Sequence, residues 1–355
     1  MPRTTLALTS FIAGEFSPKL EGRTDFEKYS AGCKTLENML VHPQGMASRR
    51  VGTQFISEVK TSSLKTRLVS FEFSTTQTYM LEFGNQYIRF FKDKGQILEG
   101  DKTISGLTKA NPGVVTATAH GYSDGDFVIL SSVSGMTQVN SKTYKVANKA
   151  TNTFELNDVD GNAVDTSGYS TYTSGGVANK IYQITTNYLT AELFDIKVAQ
   201  SADVLYITHP NHEVSKLERT GHTSWTLSEV SFTKGPFLDV NTTSVTLTTS
   251  ATTVGSGRTL TASSSLFAST DVGRQVELGD GWGTITAYTS GTVVTWTITE
   301  AATGSGSTTW SLGAFSDTTG HPSCVSFFEQ RLVFAATSNE PQTLYFSKSG
   351  DYENM

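Results

Sequence analysis

The sequence is poor in charged residues. Only 17% of its 355 residues are Asp, Glu, Lys or Arg, whereas soluble domains typically contain about 25%. The formal net charge of −6 argues against a classical nucleic-acid-binding protein, because such proteins concentrate lysine and arginine on one surface. The charge does not exclude a surface past which DNA slides, because weak repulsion keeps DNA from binding to it.

Cysteine and long apolar runs are also scarce. The two cysteines, Cys33 and Cys324, are far apart in the chain, so we expect reduced thiols rather than a disulfide framework. The apolar run near the N-terminus is too short for a signal peptide. No stretch of about 18 apolar residues is present that would form a transmembrane helix. These absences predict a protein that folds in a cytoplasm and has no membrane span.

Catalytic motifs are missing as well. The sequence contains no G-x-S-x-G, H-E-x-x-H or C-x-x-C motif. Residues 158–162 begin like a calcium loop, but their glycine stands at the fourth position instead of the sixth. Residues 279–283 are glycine-rich like a phosphate loop, but they contain no lysine and no helix is predicted after them.

One histidine pair has metal-ligand character. His209 and His212 are three residues apart, but Pro210 breaks any helix that would align them. No further His, Cys or carboxylate cluster completes a tetrahedral site in the sequence. We therefore expect no metal, no cofactor and no catalytic residue, and so a protein that is not an enzyme. A polysaccharide depolymerase is a further alternative. Its two catalytic carboxylates can be distant in the chain and meet only in the fold, so the sequence does not exclude them.

Thr, Ser and Gly take the place of the missing charges. Thr suits strands, whereas Gly and Ser suit turns, so the composition predicts an all-β protein. Helical periodicity is confined to two short candidates. They are residues 25–40, where Asp25 would be the N-cap, and residues 190–194.

A repeated group of short strands organises the chain. Residues 67–92 alternate apolar and polar side chains in three stretches, 68–73, 79–83 and 87–91, separated by turns at 74–77 and 84–86. Similar groups return at residues 196–218 and 324–348. The middle strands lie about 125 residues apart, which is too far for a compact solenoid. Repeated antiparallel units with large insertions predict a propeller-like body or a stacked array of sheets.

These patterns divide the chain into six parts. We predict an extended N-terminal arm, three sheet units of a propeller-like antiparallel body, and two inserted small β-barrel or sandwich modules. The parts are the arm 1–66, the first sheet unit 67–106, the first module 107–180, the second sheet unit 181–236, the second module 237–314 and the third sheet unit 315–355.

Several spaced motifs resemble a known family. They lie at residues 11–18, 22–29, 32–38 and 43–53 near the start, and at 326–354 near the end. Together they are similar to the tail nozzle, or tail tubular protein B, group of short-tailed bacteriophages. Residues 111–126 and 153–156 also resemble a small β module that is common in phage tail proteins.

The resemblance implies a structural virion protein of the tail. Identical subunits would close into a ring, a hexamer in that family, because cyclic symmetry encloses a channel. The implied partners are further copies of the chain, the adaptor or head-to-tail connector above, and a tail fibre or tailspike outside. Genomic DNA would be retained in and conducted through the lumen without sequence recognition. The implied location is the virion tail, assembled in the cytoplasm of the bacterial host.

The N-terminal arm holds the predicted subunit interface. Its scattered aromatic side chains gain little from packing on themselves, so we expect the arm to lie extended on a neighbouring surface. Arg49 and Arg50 would dock on carboxylates through their planar guanidinium groups. The candidate interface residues are Phe11, Phe16, Arg23, Tyr29, Arg49 and Arg50.

A receptor- or glycan-binding virion adhesin is the alternative function. It requires a platform of exposed aromatic side chains, for which Trp282, Trp296 and Trp310 are the candidates. Three sheet units are also too few to close a propeller, whose smallest common form has about four blades. We therefore expect that the chain continues beyond Met355 in a longer polypeptide, or that partners supply the missing sheet.

Overall fold

The computed structural model describes residues 7–74, 77–303 and 305–355, and this part of the chain is almost entirely β-structure. Strands account for 45% of the residues, and no described helix reaches seven residues. The all-β prediction is therefore confirmed. None of the described helices is long and apolar enough to cross a membrane.

Both predicted helices are wrong. Residues 25–40 contain the short 3-10 helix Glu27–Ala31 instead of an α-helix. Phe26 precedes that helix, and no side chain caps it. The carboxylate of Asp25 accepts hydrogen bonds from Arg23, so it is not available to cap backbone amides. Residues 190–194 form turns.

Met1–Ile56 form one of two compact units, of which residues 7–56 are described. The elements of this unit are β1 Gly14–Glu15, the 3-10 helices Pro18–Leu20 and Glu27–Ala31, β2 Gly32–Cys33, β3 Met39–Val41 and β4 Ala47–Arg49. β1 pairs with β2 in parallel, and β3 pairs with β4 in antiparallel fashion. The Phe16 ring stacks on the Tyr29 ring at 5.5 Å between centroids. The segment predicted to extend over a neighbouring surface thus packs in part on itself.

The second unit is Ser57–Met355, and it begins with an antiparallel sheet, called here the first sheet. Its strands are β5 Arg67–Ser74, β6 Gln77–Gly84, β7 Tyr87–Lys92 and β8 Gly95–Gln96. β7 lies beside β6 and also pairs with β8. The turn predicted at 74–77 includes Thr75 and Thr76, which lie outside the described residues.

The chain then forms a seven-stranded sheet. Its strands are β9 Leu98–Thr103, β10 Gly106–Leu107, β11 Val114–Thr116, β12 Phe127–Ser131, β13 Lys142–Ala147, β14 Thr153–Asn157 and β15 Val177–Ile181. Their order is β10-β11-β14-β13-β12-β15-β9. The Ile104 amide donates to Gly176 O and the Ser105 amide donates to Thr116 O. Residues 104 and 105 connect β9 at one end of this order to β10 at the other. The sheet therefore closes into a barrel, which removes the free edges.

Three further sheets follow the barrel. Before them, the short strand β16 Gln183–Thr185 returns to the first sheet and pairs with β7.

The second sheet contains β17 Lys197–Ser201, β18 Val204–His209, β19 His212–Gly221 and β20 Ser224–Glu229 in sequential order. The six-stranded sheet contains β21 Leu247–Thr249, β22 Gly255–Ala262, β23 Gln275–Leu278, β24 Gly281–Ser290, β25 Val293–Glu300 and β26 Trp310–Leu312. The third sheet contains β27 Cys324–Phe328, β28 Arg331–Ala335 and β29 Leu344–Phe346.

The cores show which sheets pack together. One core joins the first and second sheets, and Trp225 lies in it, 4.8 Å from Phe71 and 4.6 Å from Phe90 between ring centroids. Another joins the second and third sheets through Tyr206 and Phe334. The barrel and the six-stranded sheet each have a core of their own. The second sheet therefore lies between the first and the third, and it carries the candidate site.

Candidate functional site

A tight hairpin brings two histidines together. His209 ends β18 and His212 begins β19, and the two residues are direct cross-strand partners. Pro210 and Asn211 form the turn between them, and the two imidazole rings lie 5.0 Å apart. In the sequence, Pro210 counts against a metal site only if the two histidines lie on a helix. In a hairpin, proline is no obstacle, because a turn position needs no backbone N–H.

A glutamate from a distant part of the chain completes the cluster. Glu192 lies in the turn between β16 and β17, and its Oε2 atom is 3.0 Å from His212 Nε2. The Leu189 amide donates to the same oxygen at 2.8 Å, which fixes the carboxylate in place. The Tyr188 ring packs edge-on against His212 with centroids 5.2 Å apart. One ligand-type atom from each of Glu192, His209 and His212 lies within 4.8 Å of the other two.

Burial acts on both His209 and Glu192, with different outcomes for their pKa values. His209 is 2% exposed, and burial, aided by the neighbouring His212, lowers its pKa. His209 Nδ1 accepts a hydrogen bond from the Asn211 amide at 3.1 Å, whereas His209 Nε2 has no partner among the described residues. Burial raises the pKa of Glu192, but hydrogen bonds from the Leu189 amide and His212 outweigh it and keep the value below normal.

A polar cleft adjoins the cluster. A space of about 280 Å³ is lined by His212, Glu213, Glu229 and Asp317 among others. Glu213, Glu229 and Asp317 also line a larger cleft of about 530 Å³, which reaches His321. His321 Nε2 lies 2.9 Å from Asp317 Oδ1. Burial and then the adjacent Glu229 carboxylate raise the pKa of Glu213. The cleft therefore offers imidazole and carboxylate groups that the sequence did not bring together.

The predicted interface residues lie elsewhere, in the unit Met1–Ile56. Phe16 stacks on Tyr29, and the Tyr29 hydroxyl accepts from the Gly22 amide at 3.0 Å. Arg23 pairs with Asp25 at 2.7 Å. The remaining three are Phe11, which is half-buried, and Arg49 and Arg50, which are exposed. Only Phe16 and Tyr29 are brought into ring contact, and an interface role for the six residues stays a prediction.

The aromatic platform predicted for an adhesin is not on the surface. Trp282, Trp296 and Trp310 are 9%, 0% and 7% exposed and belong to or border the core of the six-stranded sheet. Trp296 Nε1 donates to Thr249 Oγ1 at 3.1 Å, and Trp310 Nε1 donates to Val245 O at 2.9 Å. A buried tryptophan with its N–H satisfied contributes to packing, so these rings do not form a glycan-stacking surface.

Comparison with known proteins concerns the barrel. The sequence model of the ubiquitin-activating enzyme E1 FCCH domain matches residues 110–181. Those residues contain β11 to β15 and most of the barrel core. The barrel is similar to an FCCH domain. We refer to it from here on as the FCCH-like barrel.

Curated relatives agree with this match. The rabbit (Oryctolagus cuniculus) protein named ubiquitin-like modifier-activating enzyme 1 is 37% identical over 82 residues, which are 22% of this chain and 7% of that protein. The human (Homo sapiens) protein of the same name is 33% identical over 104 residues, 28% of this chain and 9% of its own length. The matched region thus spans less than a tenth of the relatives.

These findings overturn the phage interpretation. The matches are to ubiquitin-activating enzymes and not to tail proteins, so the tail-nozzle function is wrong, as is the adhesin alternative. The predicted virion-tail location, the hexameric ring, and the adaptor, tail-fibre, tailspike and DNA partners are wrong with it. Each of the motifs behind the tail-nozzle resemblance contains Gly, Pro or Asp, residues that are common in turns, and turn chemistry recurs in unrelated β proteins.

Proposed function

We propose that this chain is a non-enzymatic β scaffold that presents the FCCH-like barrel for recognition of a ubiquitin-like modifier. One observation carries the proposal: the matched residues 110–181 lie within a closed barrel that has its own core. The similarity is confined to the FCCH domain, a non-catalytic part of the enzyme. A ubiquitin-like modifier is the proposed ligand because the relatives are named ubiquitin-like modifier-activating enzymes.

The scaffold in this proposal is a propeller-like body that carries the barrel as an inserted module. Strand β7 supports the insertion, because it pairs with β8 just before the barrel and with β16 just after it. The chain thus leaves one edge of the first sheet and returns to the same edge. Three successive antiparallel sheets, packed through two shared cores, favour a propeller-like arrangement over separate domains.

The six-stranded sheet is the second inserted module of the proposal. Leu238 N donates to Leu312 O, and Ala314 N donates to Pro236 O. The chain therefore enters and leaves this sheet at neighbouring points. Its core draws on residues 245–312 alone, as expected for a module that folds around its own interior.

The absence of enzymatic activity is part of the same proposal. The glycine-rich residues 279–283 belong to the hairpin of β23 and β24, where Leu278 pairs with Gly281. A strand follows them, so they do not form the loop-to-helix arrangement that holds a nucleotide phosphate. This supports a protein that binds a modifier without activating it.

The test is hydrogen-exchange protection of the whole chain in the presence of ubiquitin and of other purified ubiquitin-like modifiers. We expect reduced exchange in residues 104–181 and unchanged exchange in the six-stranded sheet, which serves as the internal control. ATP–pyrophosphate exchange with the same modifiers should stay at background. Protection restricted to other sheets, or no binding at roughly millimolar modifier, would contradict modifier recognition. ATP turnover would contradict the non-enzymatic role.

A further inference from the structure

The hairpin cluster of Glu192, His209 and His212 has a chemistry that modifier recognition does not use. We propose that these three side chains form a binding site for a divalent transition-metal ion, with Zn²⁺ as the best fit. Two imidazoles and one carboxylate are a donor set that zinc accepts readily. The inference is independent of the proposed function, because the site belongs to the second sheet and its preceding turn.

The spacing of the ligands supports the site. In a tetrahedral zinc centre with bonds of about 2.1 Å, neighbouring ligand atoms are about 3.4 Å apart. His212 Nε2 and Glu192 Oε2 are already 3.0 Å apart, and the three ligand atoms span no more than 4.8 Å. The separations that involve His209 therefore exceed those of such a centre by at most about 1.4 Å.

The backbone holds all three ligands in place. His209 and His212 are fixed as cross-strand partners at a hairpin end, and Glu192 is tied by the Leu189 amide. The Leu189 bond is the kind of outer contact that orients a metal ligand. A site on paired strands loses little conformational freedom when an ion binds.

His209 supplies a second, independent observation. Its side chain is 98% buried, since it is 2% exposed, yet its Nε2 atom has no hydrogen-bond partner among the described residues. Buried polar atoms are nearly always satisfied by protein, water or an ion. An ion bound to this nitrogen, with the ring proton transferred to Nδ1, would give the atom a partner.

Binding through Nε2 has a structural consequence at Asn211. A neutral imidazole carries one proton, and His209 Nδ1 now accepts from the Asn211 amide, which places that proton on Nε2. When a metal takes Nε2, the proton moves to Nδ1 and the Asn211 amide loses its acceptor. The backbone amide signal of Asn211 is therefore a reporter of metal ligation by His209.

Three protein ligands leave a fourth position for a small ligand. His212 lines the cleft of about 280 Å³, so water reaches the cluster from that side. Glu213 also lines the cleft and lies next to His212 in the chain. We expect a water molecule as the fourth ligand in the isolated protein.

The test is titration of the tag-free whole chain with Zn²⁺, and with Co²⁺ as a spectroscopic probe. We expect one equivalent bound with roughly micromolar affinity, a visible Co²⁺ spectrum of nitrogen and oxygen ligation, and a shift of the Asn211 amide. Glu192→Gln and His212→Gln should each weaken binding by about tenfold or more. The matched control is His222→Gln, whose imidazole lies in another hairpin beside Tyr79 and should leave the affinity unchanged.

Several outcomes would overturn the site. They are the absence of a one-to-one complex, equal affinities in the two ligand variants and the His222 control, or a Co²⁺ spectrum with thiolate charge-transfer bands from Cys33 or Cys324. Circular dichroism of each variant checks folding. Since His212 is partly exposed, with 24% of its side chain accessible, His212→Gln is expected to fold, and it keeps the test valid if another variant does not.

Discussion

The guanidinium of Arg89 lies over the ring of Phe127, with 4.6 Å between its Cζ atom and the ring centroid. Arg89 belongs to β7 of the first sheet and is 1% exposed, whereas Phe127 begins β12 of the FCCH-like barrel. This contact joins the barrel to the first sheet. Because the cation is shielded from water, a cation–π contact of this kind contributes more than it does on a surface.

The contact predicts energetic coupling between the two residues. A double-mutant cycle of Arg89→Met and Phe127→Leu, measured by chemical denaturation, should give a coupling free energy of about 0.5–2 kcal/mol. The matched control pairs Arg89→Met with Phe154→Leu, because Phe154 lies inside the barrel core. We expect the control cycle to be additive within about 0.5 kcal/mol. Equal coupling in both cycles would count against a direct contact.

Glu82 predicts a pH-dependent stability. It is 3% exposed, and burial raises its pKa above the ordinary 4.5, although the Tyr87 hydroxyl and Arg89 act in the opposite direction. The folded state thus holds this proton more tightly than the unfolded state does. The contribution to stability is present below pH 4.5 and is lost as pH rises through the folded pKa.

Replacing Glu82 by Gln should remove this dependence. The free energy of unfolding, measured by urea denaturation from pH 4 to pH 7, should fall less with rising pH in Glu82→Gln than in the wild type. Glu72→Gln is the control, since Glu72 is exposed on the adjacent strand β5. If Glu82→Gln and Glu72→Gln have the same pH profile, the buried carboxyl is not responsible.

Trp225 should contribute strongly to stability through the core that the first and second sheets share. Its ring packs on Phe71 and Phe90, and its backbone amide donates to the Tyr182 hydroxyl at 3.0 Å. Trp225→Ala should lower the free energy of unfolding by about 3–5 kcal/mol, and Trp225→Phe by less. Phe328→Ala, at a position that is 59% exposed on β27, should change it by at most about 0.5 kcal/mol. If Trp225→Ala and Phe328→Ala lower the free energy of unfolding by similar amounts, the special contribution of Trp225 is refuted.

Gly283 predicts a steric limit in the six-stranded sheet. A Cβ atom on Gly283 would lie 2.2 Å from Thr297 O and 2.9 Å from the Trp296 ring. Gly283→Ala should therefore destabilise the protein by about 1–3 kcal/mol or more through overpacking. Gly168→Ala is the control, because a Cβ atom on Gly168 would meet nothing within 4 Å. Thermal unfolding followed by circular dichroism compares the two, and an unchanged midpoint for Gly283→Ala would contradict the close approach.

The sequence indicated strands correctly, but it was a poor guide to helices and to what covers each strand face. The alternation in residues 67–92 correctly indicated β5, β6 and β7, because period-two burial is a local property of a strand. The helix predicted at 25–40 was wrong, since Asp25 pairs with Arg23 and short aromatic contacts take over that segment. The exposed tryptophan platform was wrong because a strand pattern shows which residues share a face, but not what covers that face.

The histidine cluster shows what the sequence alone did not reveal. Pro210 correctly argues against a helix that would align His209 and His212. Two residues between the histidines are also the length of a tight hairpin turn, and that pattern indicates the pairing seen in the structure. Glu192 is 17 residues before His209 in the chain, and no local pattern connects them.

Short antiparallel strands can be read from the residues alone, because side-chain alternation and turn residues act over a few neighbouring positions. The folded chain was needed to show that β9 and β10 close a barrel, that Arg89 contacts Phe127, and that Glu192 meets two histidines. Each of these depends on packing between segments far apart in the chain. Such contacts are selected by the fit of whole surfaces, which a local pattern does not encode.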